Sequence, residues 1–350
     1  MALYEGMTDI PTRANIICDL RSDTVTRPDA AMRRAMAAAE VGDDVYGEDP
    51  EVNRLEREFA EMLGKEAGLF VSSGTQGNLT AIMAHCGRGD EVMVGSGYHV
   101  FADEAAGASV LAGVALYPLP MAPSGGVTPD AVAAALRPDD AHYPVSRLLC
   151  LENTVGGRAV PLDEMRAAAL TARQAGLSVH LDGARFFNAI AALDCAPQDL
   201  AGIADTVSVC LSKGLGAPVG SVLVGPADLI TRARRHRKIL GGGMRQAGLL
   251  AAAGRHALAH NLTTLAKDHR RAAALADALQ ALGAGQVRQA TNMVFFTPEG
   301  GGTAPLRTAL AARGVLIGGQ SPTVRIVLHR DIDDAGLAHV ITAFRAHYGG

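Results

Sequence analysis

The run Thr206-Val207-Ser208-Val209-Cys210-Leu211-Ser212-Lys213-Gly214-Leu215-Gly216 sets a buried apolar strand against a lysine and two glycines. Its β-branched and apolar residues predict a strand over Thr206–Leu211. With a period of two, Lys213 continues the face of Val207, Val209 and Leu211. Lysine is scarce: Lys65, Lys213, Lys238 and Lys267 are the chain's four. Lys238 lies in the basic run Arg232–Lys238, and Lys65 and Lys267 read as solvated, so Lys213 alone sits among small and apolar neighbours. A lysine in such surroundings is a natural Schiff-base former, although one snorkelling at a strand end has the same pattern.

Upstream of this run, strand-like and helix-like segments alternate. Strands are predicted at Leu69–Val71, Glu91–Gly95, Arg147–Leu151, Ser178–Leu181 and, downstream, Ser221–Val224. Helices are predicted at Thr75–His85, Asp130–Leu136, Asp163–Ala175 and Phe186–Ala192, with another opening at Asp49-Pro50 and burying Val52, Leu55, Phe59 and Met62. This order implies a mostly parallel sheet with helices on both faces. After about Gly254 the pattern changes to a helical stretch over His256–Leu282. Short strands at Val294–Thr297, Val315–Ile317 and Val324–Leu328 and a closing helix at Asp333–His347 predict a smaller α+β domain.

Composition narrows the class. The chain has 350 residues, 48% hydrophobic and 19% charged, with a net charge of −4, which gives no general attraction to nucleic acid or an anionic membrane. The 40 glycines follow no three-residue period, excluding collagen. No apolar run approaches the ~20 residues needed to cross a bilayer. Five scattered cysteines without a C-x-x-C, and no leader in the first 17 residues, predict a reduced, cytoplasmic protein.

Ligands of open α/β sheets bind beyond the carboxyl ends of the strands. After Leu69–Val71 comes Ser72-Ser73-Gly74-Thr75-Gln76-Gly77, whose free N–H groups at a helix start suit a phosphate, with an ordinary N-capped glycine turn as the competing reading. After Ser178–Leu181 comes Asp182-Gly183-Ala184-Arg185, where a buried carboxylate requires a cation or hydrogen-bond donor, or simply caps a turn. A phosphate cradle, a carboxylate for a pyridinium nitrogen and an imine-forming lysine are what pyridoxal 5′-phosphate requires. The 30 residues between Asp182 and Lys213 suit a crossover between neighbouring parallel strands. His99, just past the strand ending at Gly95, could stack on such a ring or be a solvated loop residue.

Four segments then resemble one family. Asp19-Leu20-Arg21-Ser22-Asp23-Thr24-Val25-Thr26-Arg27-Pro28, Val41-Gly42-Asp43-Asp44-Val45-Tyr46-Gly47, Leu211-Ser212-Lys213-Gly214-Leu215-Gly216 and Gly241-Gly242-Gly243-Met244-Arg245-Gln246 are similar, in order and spacing, to the L-threonine aldolases of low specificity. That resemblance implies the α/β pyridoxal-phosphate fold type I of aspartate aminotransferase, with a large cofactor-binding domain over 40–254 and a discontinuous small domain from 1–39 and 255–350. It implies that Lys213 bonds the cofactor, Asp182 meets the pyridine nitrogen and His99 stacks on the ring. Gly74 and Thr75 would bind phosphate, and Arg245 would reach a phosphate in a neighbouring subunit. Ser22, Arg185 and Arg325 would grip the substrate carboxylate, and His142 would lie near its hydroxyl. On sequence alone, Arg325 reads as a surface strand residue and His142 as a polar loop residue. One departure is Val155-Gly156 after Glu152-Asn153-Thr154, where the family pattern has a histidine and often an asparagine.

The implied reaction is retro-aldol cleavage of L-threonine, L-allo-threonine and related β-hydroxy-α-amino acids to glycine and an aldehyde, with His99 or His142 as the base. The family also implies a homotetramer, with Asp43, Asp44 and Tyr46 approaching a neighbouring site. Rival readings are an aminotransferase or β-eliminating lyase of the same fold. A nicotinamide dehydrogenase fits poorly, because Gly214, Gly216 and Gly220 precede a strand and not a helix. His256 and His260 lack the glutamate of a zinc-binding H-E-x-x-H, so a helix face is the simpler reading and no metal is expected.

Overall fold

The computed structural model describes residues 16–349. The absence of a leader, read above from the first 17 residues, therefore falls almost wholly outside the described residues. Twelve strands follow in chain order: β1 (Cys18–Leu20), β2 (Ala67–Val71), β3 (Glu91–Gly95), β4 (Ala115–Leu119), β5 (Ser146–Glu152), β6 (Ser178–Gly183), β7 (Thr206–Cys210), β8 (Ser221–Gly225), β9 (Gly285–Ala290), β10 (Met293–Pro298), β11 (Val315–Gln320) and β12 (Thr323–Val327). They divide between two compact units: 16–27 with 213–215 and 261–349, and 28–212 with 216–260.

The larger unit is built on a seven-stranded sheet ordered β2-β8-β7-β6-β5-β3-β4. All of its pairings are parallel except the two made by β8, the single reversed strand. Strands β3, β7 and β8 are buried along their whole length, as expected where helices cover both faces. The helix Pro50–Leu63 shows how locally its elements are specified. Asp49 caps it, accepting from the Glu51 and Val52 amides at 3.1 Å, and Pro50 occupies the first turn. Val52, Leu55, Phe59 and Leu63 are fully buried at helical spacing, and Gly64, at φ 67°, ends the helix.

The smaller unit carries a five-stranded sheet ordered β1-β11-β12-β10-β9. Val294, Phe296, Val324 and Ile326 pack with Leu275, Leu279, Leu306, Val340 and Phe344 of its helices. The helix expected over His256–Leu282 is two helices, Gly248–His260 and Leu265–Ala281, joined by a tight turn at Leu262–Thr264. Asn261 is buried at the break, where its amide donates to the Leu215 carbonyl at 2.8 Å while its own carbonyl accepts from Thr264 Oγ1 at 2.6 Å. Strands β1, β4 and β9 and the helices Ala30–Ala37, His99–Ala102, Pro197–Ala201, Ala227–Ile239 and Thr303–Ala311 are additional to those expected.

Candidate active site

The carboxyl ends of β5, β6 and β7 lie side by side in the larger unit. Their register sets Glu152 opposite Asp182 and Asp182 opposite Ser208. Asp182 is 2% exposed, so its carboxylate needs donors, and it has one on each oxygen. Oδ1 accepts from the Ala184 amide at 2.9 Å, and Oδ2 accepts from the Asn78 side-chain amide at 2.8 Å.

Asn78 comes from the helix Gly74–His85, whose start is the predicted phosphate cradle. Ser73 is its N-cap, accepting from the Gln76 amide at 3.1 Å, so the amides of Gly74 and Thr75 belong to the unpaired first turn. Gly77 lets this helix approach β7, since a Cβ there would run into Ser208 Oγ. Ser221 Oγ is buried with no hydrogen-bond partner among the described residues, and it lies 3.7 Å from where a Gly74 Cβ would stand. An orphaned hydroxyl beside open helix amides is a site with donors to spare for an anion.

His99 opens the short helix His99–Ala102. Its backbone amide donates to Glu152 Oε2 at 2.7 Å and its Nδ1 lies 2.9 Å from Glu104 Oε1, the same oxygen that accepts from Asn78 at 2.8 Å. Desolvation, reinforced by the Asp182 charge, pushes the Glu152 carboxyl up to about 8. The ligand atoms of His99, Glu104 and Asp182 fall within 4.8 Å of one another, but the His99–Glu104 hydrogen bond and the Asn78 amide already engage all three side chains.

Behind Asp182 the cluster continues into the core. His180, two residues earlier on β6 and fully buried, places Nε2 3.1 Å from Asn78 Oδ1 and Nδ1 2.9 Å from Thr206 Oγ1. His85 Nε2 reaches the same hydroxyl at 2.9 Å. Burial lowers both imidazoles, His180 to about 3 and His85 to about 4. Asn78, Glu104, His180, Thr206 and the position of Glu152 carry no motif that marks them in the sequence. The period of β6 was the available signal for His180, because residues 180 and 182 share a face.

Other predicted residues of this unit lie elsewhere. Arg185 immediately precedes the helix Phe186–Leu193 and is near enough to Glu152 to be felt electrostatically. His142 is 87% exposed, and its ring pairs with Asp140 Oδ1 at 2.6 Å within its own loop. Arg245 is also exposed, with Nη1 3.2 Å from Asp43 Oδ2, while its carbonyl accepts from the Asp44 amide at 3.0 Å. Val155 and Arg158 exchange backbone hydrogen bonds at 2.9 Å, closing a small loop where the family pattern has a histidine.

The smaller unit holds the rest. Strand β7 ends at Cys210, so Lys213 lies in a bend beyond it and does not extend the strand face as expected. Its carbonyl accepts from Thr26 Oγ1 at 2.7 Å, and the Leu215 carbonyl accepts from Asn261 and from Arg330 Nη1 at 3.3 Å. Ser22 caps the turn Asp23–Val25, and Arg325 of β12 donates to the carbonyl of the adjacent Arg21 at 3.4 Å. Lys65, of the larger unit, is not solvated as expected. Its Nζ donates to the Ala204 carbonyl at 2.6 Å, and burial depresses its pKa.

The family model described as beta-eliminating lyase matches residues 19–299. Fold and match together define a pyridoxal-phosphate-dependent lyase of fold type I. A low-specificity L-threonine aldolase of Escherichia coli (strain K12) is 48% identical over 328 residues, covering 94% of this chain and 98% of its own. Low-specificity L-threonine aldolase 1 of Arabidopsis thaliana is 45% identical over 340 residues, covering 93% and 95%. The chain belongs to the low-specificity L-threonine aldolase family. The Leishmania major threonine aldolase structure shares the fold, with a TM-score of 0.81 at 20% identity over 94% of this chain and 99% of that one. The residues of the larger unit fit the cofactor: a buried carboxylate for a pyridinium, and open helix amides with an orphaned hydroxyl for a phosphate. No helix among the described residues is long and apolar enough to cross a membrane.

Proposed function

We propose that this enzyme cleaves L-threonine, L-allo-threonine and related β-hydroxy-α-amino acids to glycine and an aldehyde. When bound, pyridoxal phosphate supplies an aldehyde that captures the substrate amine and a ring that accepts the electron pair released at Cα. The chain supplies the rest. Lys213 would be the amine that holds the cofactor. Asp182 accepts the hydrogen of the protonated ring nitrogen, and the Gly74 and Thr75 amides with Ser221 receive the phosphate. Arg325, Arg185 and Ser22 hold the substrate carboxylate, fixing the orientation in which the Cα–Cβ bond breaks. His99 would stack on the ring and accept the β-hydroxyl proton. Because Glu104 engages Nδ1, the exchange runs through Nε2. His142, held by Asp140, is the alternative base.

The buried Asp182 carboxylate, with one N–H donor on each oxygen at the end of β6, is the observation that carries this reading. The family relationship supplies the reaction. The assembly is read as a homotetramer in which Arg245 serves a neighbouring site, supported by the exposed Val45 and Tyr46 beside the Arg245–Asp43 pair. Five free cysteines support a reducing, cytoplasmic setting. The test is release of glycine and acetaldehyde from both threonine diastereomers by the purified, cofactor-loaded protein with no keto acid present. Turnover that requires a keto-acid acceptor would instead identify an aminotransferase.

A further inference from the structure

The hydrogen bonds behind Asp182 can be followed donor by donor from its carboxylate. The Asn78 amide nitrogen faces two carboxylates, Glu104 and Asp182, each at 2.8 Å, so each of its hydrogens has a fixed acceptor. Its Oδ1 must then face a donor, and the atom there is His180 Nε2 at 3.1 Å. Burial keeps His180 neutral, so with the proton on Nε2 its Nδ1 is an acceptor, and the Thr206 hydroxyl donates to it. That hydroxyl has given its hydrogen and in turn accepts from His85 Nε2, the protonated nitrogen of a second buried, neutral imidazole. Every hydrogen therefore points the same way, from His85 through Thr206, His180 and Asn78 to the carboxylate. Aligned hydrogen bonds of this kind polarise one another in a low-dielectric interior.

We infer that Asn78, His180, Thr206 and His85 form a one-way hydrogen-bond relay that positions the Asp182 carboxylate toward the cofactor ring. The four are positioning residues. His85 and Thr206 act only through His180 and Asn78, and Asn78 with the Ala184 amide pins the carboxylate plane by one bond on each oxygen. The relay deepens the proposed function and rests on its assignment of Asp182 to the ring nitrogen. The hydrogens themselves are set by the protein alone, so they are present before cofactor binds.

Two measurements test the relay. In the wild-type protein freed of cofactor, nitrogen-15 NMR of the histidine rings reads the tautomer directly. The His180 proton is expected on Nε2, unchanged between about pH 5 and pH 8. A proton on Nδ1, or a doubly protonated ring in that range, overturns the relay whatever the enzyme's reaction. In the cofactor-loaded protein, Thr206→Val keeps the side-chain shape and removes the hydroxyl, while Thr206→Ser restores it. The pH midpoint of the visible absorption band is expected to move by about half a unit or more in the valine variant and to return in the serine variant. A valine midpoint equal to the wild type, or a serine midpoint as displaced as valine, refutes the positioning role. If Thr206→Val does not fold, the NMR tautomer still decides. If the wild type gains no visible band with pyridoxal phosphate, the proposed function fails while the tautomer result stands.

Discussion

Glu152 offers a direct test of the electrostatics beside Asp182. Its carboxyl, ordinarily at 4.5, is pushed up to about 8, first by desolvation and second by the Asp182 charge across the β5–β6 pairing. A carboxyl raised on folding binds its proton more tightly in the folded state than in the unfolded chain. The associated stability is therefore fully present below about pH 4.5 and is lost as the pH rises to about 8. A gap of roughly 3.5 units at ~1.36 kcal/mol each bounds the loss at about 5 kcal/mol. Water reaching this partly exposed group reduces that, and about 2 kcal/mol is the working value. Glu152→Gln keeps an acceptor for the His99 amide and cannot ionise. Urea unfolding of the cofactor-free protein from about pH 5 to pH 9 should show the wild type losing about 2 kcal/mol relative to the variant. Parallel pH profiles for the two proteins would refute the argument, because they would mean that Glu152 ionises equally easily folded and unfolded.

Four further outcomes follow from the same geometry. Lys213→Ala should abolish the visible absorption band of the cofactor-loaded protein, and an unchanged spectrum would reject the lysine assignment. Arg325→Ala should raise KM for threonine by about 10–100-fold with a smaller change in kcat, as expected on losing a carboxylate clamp; an unaltered KM would remove Arg325 from the site. Gly77→Ala forces a methyl group into Ser208 Oγ and should lower the unfolding free energy by about 1–3 kcal/mol, read from the urea midpoint. Asp268 is buried with neither carboxylate oxygen hydrogen-bonded among the described residues, and desolvation pushes it to about 7. Its folded pKa is raised, so Asp268→Asn should stabilise the protein most above pH 7 and least near pH 4, again by urea titration.

The sheet of the larger unit was legible because each central strand is a short, β-branched apolar run closed by glycine or a polar residue. Thr206–Cys210, Ser221–Gly225 and Glu91–Gly95 carry this mark, and all three are wholly buried. The missed elements are those whose burial their composition hides. The helix Ala227–Ile239 buries Leu229, Ile230, Ala233 and even Arg237. Arg237 is held at 2.6 Å by both Asp44 and the Phe70 carbonyl, so a run that reads as a solvated basic face covers a buried seam. Strand β1 is three residues long with a charged centre, and β9, on a sheet edge, has Val287 as its single large apolar residue, so neither offers a periodic apolar signal.

Lysine burial shows where composition misleads. Lys65 follows the helix-ending Gly64 and precedes Glu66, a setting that reads as solvated, yet it is drawn down onto the carbonyl of Ala204, 139 positions away. The relay behind Asp182 escaped the sequence for the same reason. Its hydrogen-bonded pairs are 26 to 121 positions apart along the chain and come from two strands and one helix. Only the parallel register of β6 on β7, His180 opposite Thr206, brings them into line. Motif reading finds groups that act on a ligand, because a ligand constrains short stretches of chain. It does not find the groups that orient those residues, because their constraint is a hydrogen-bond inventory that closes only in three dimensions. Asp182 was therefore legible as a buried strand-end carboxylate, whereas the direction in which its hydrogen bonds run was not.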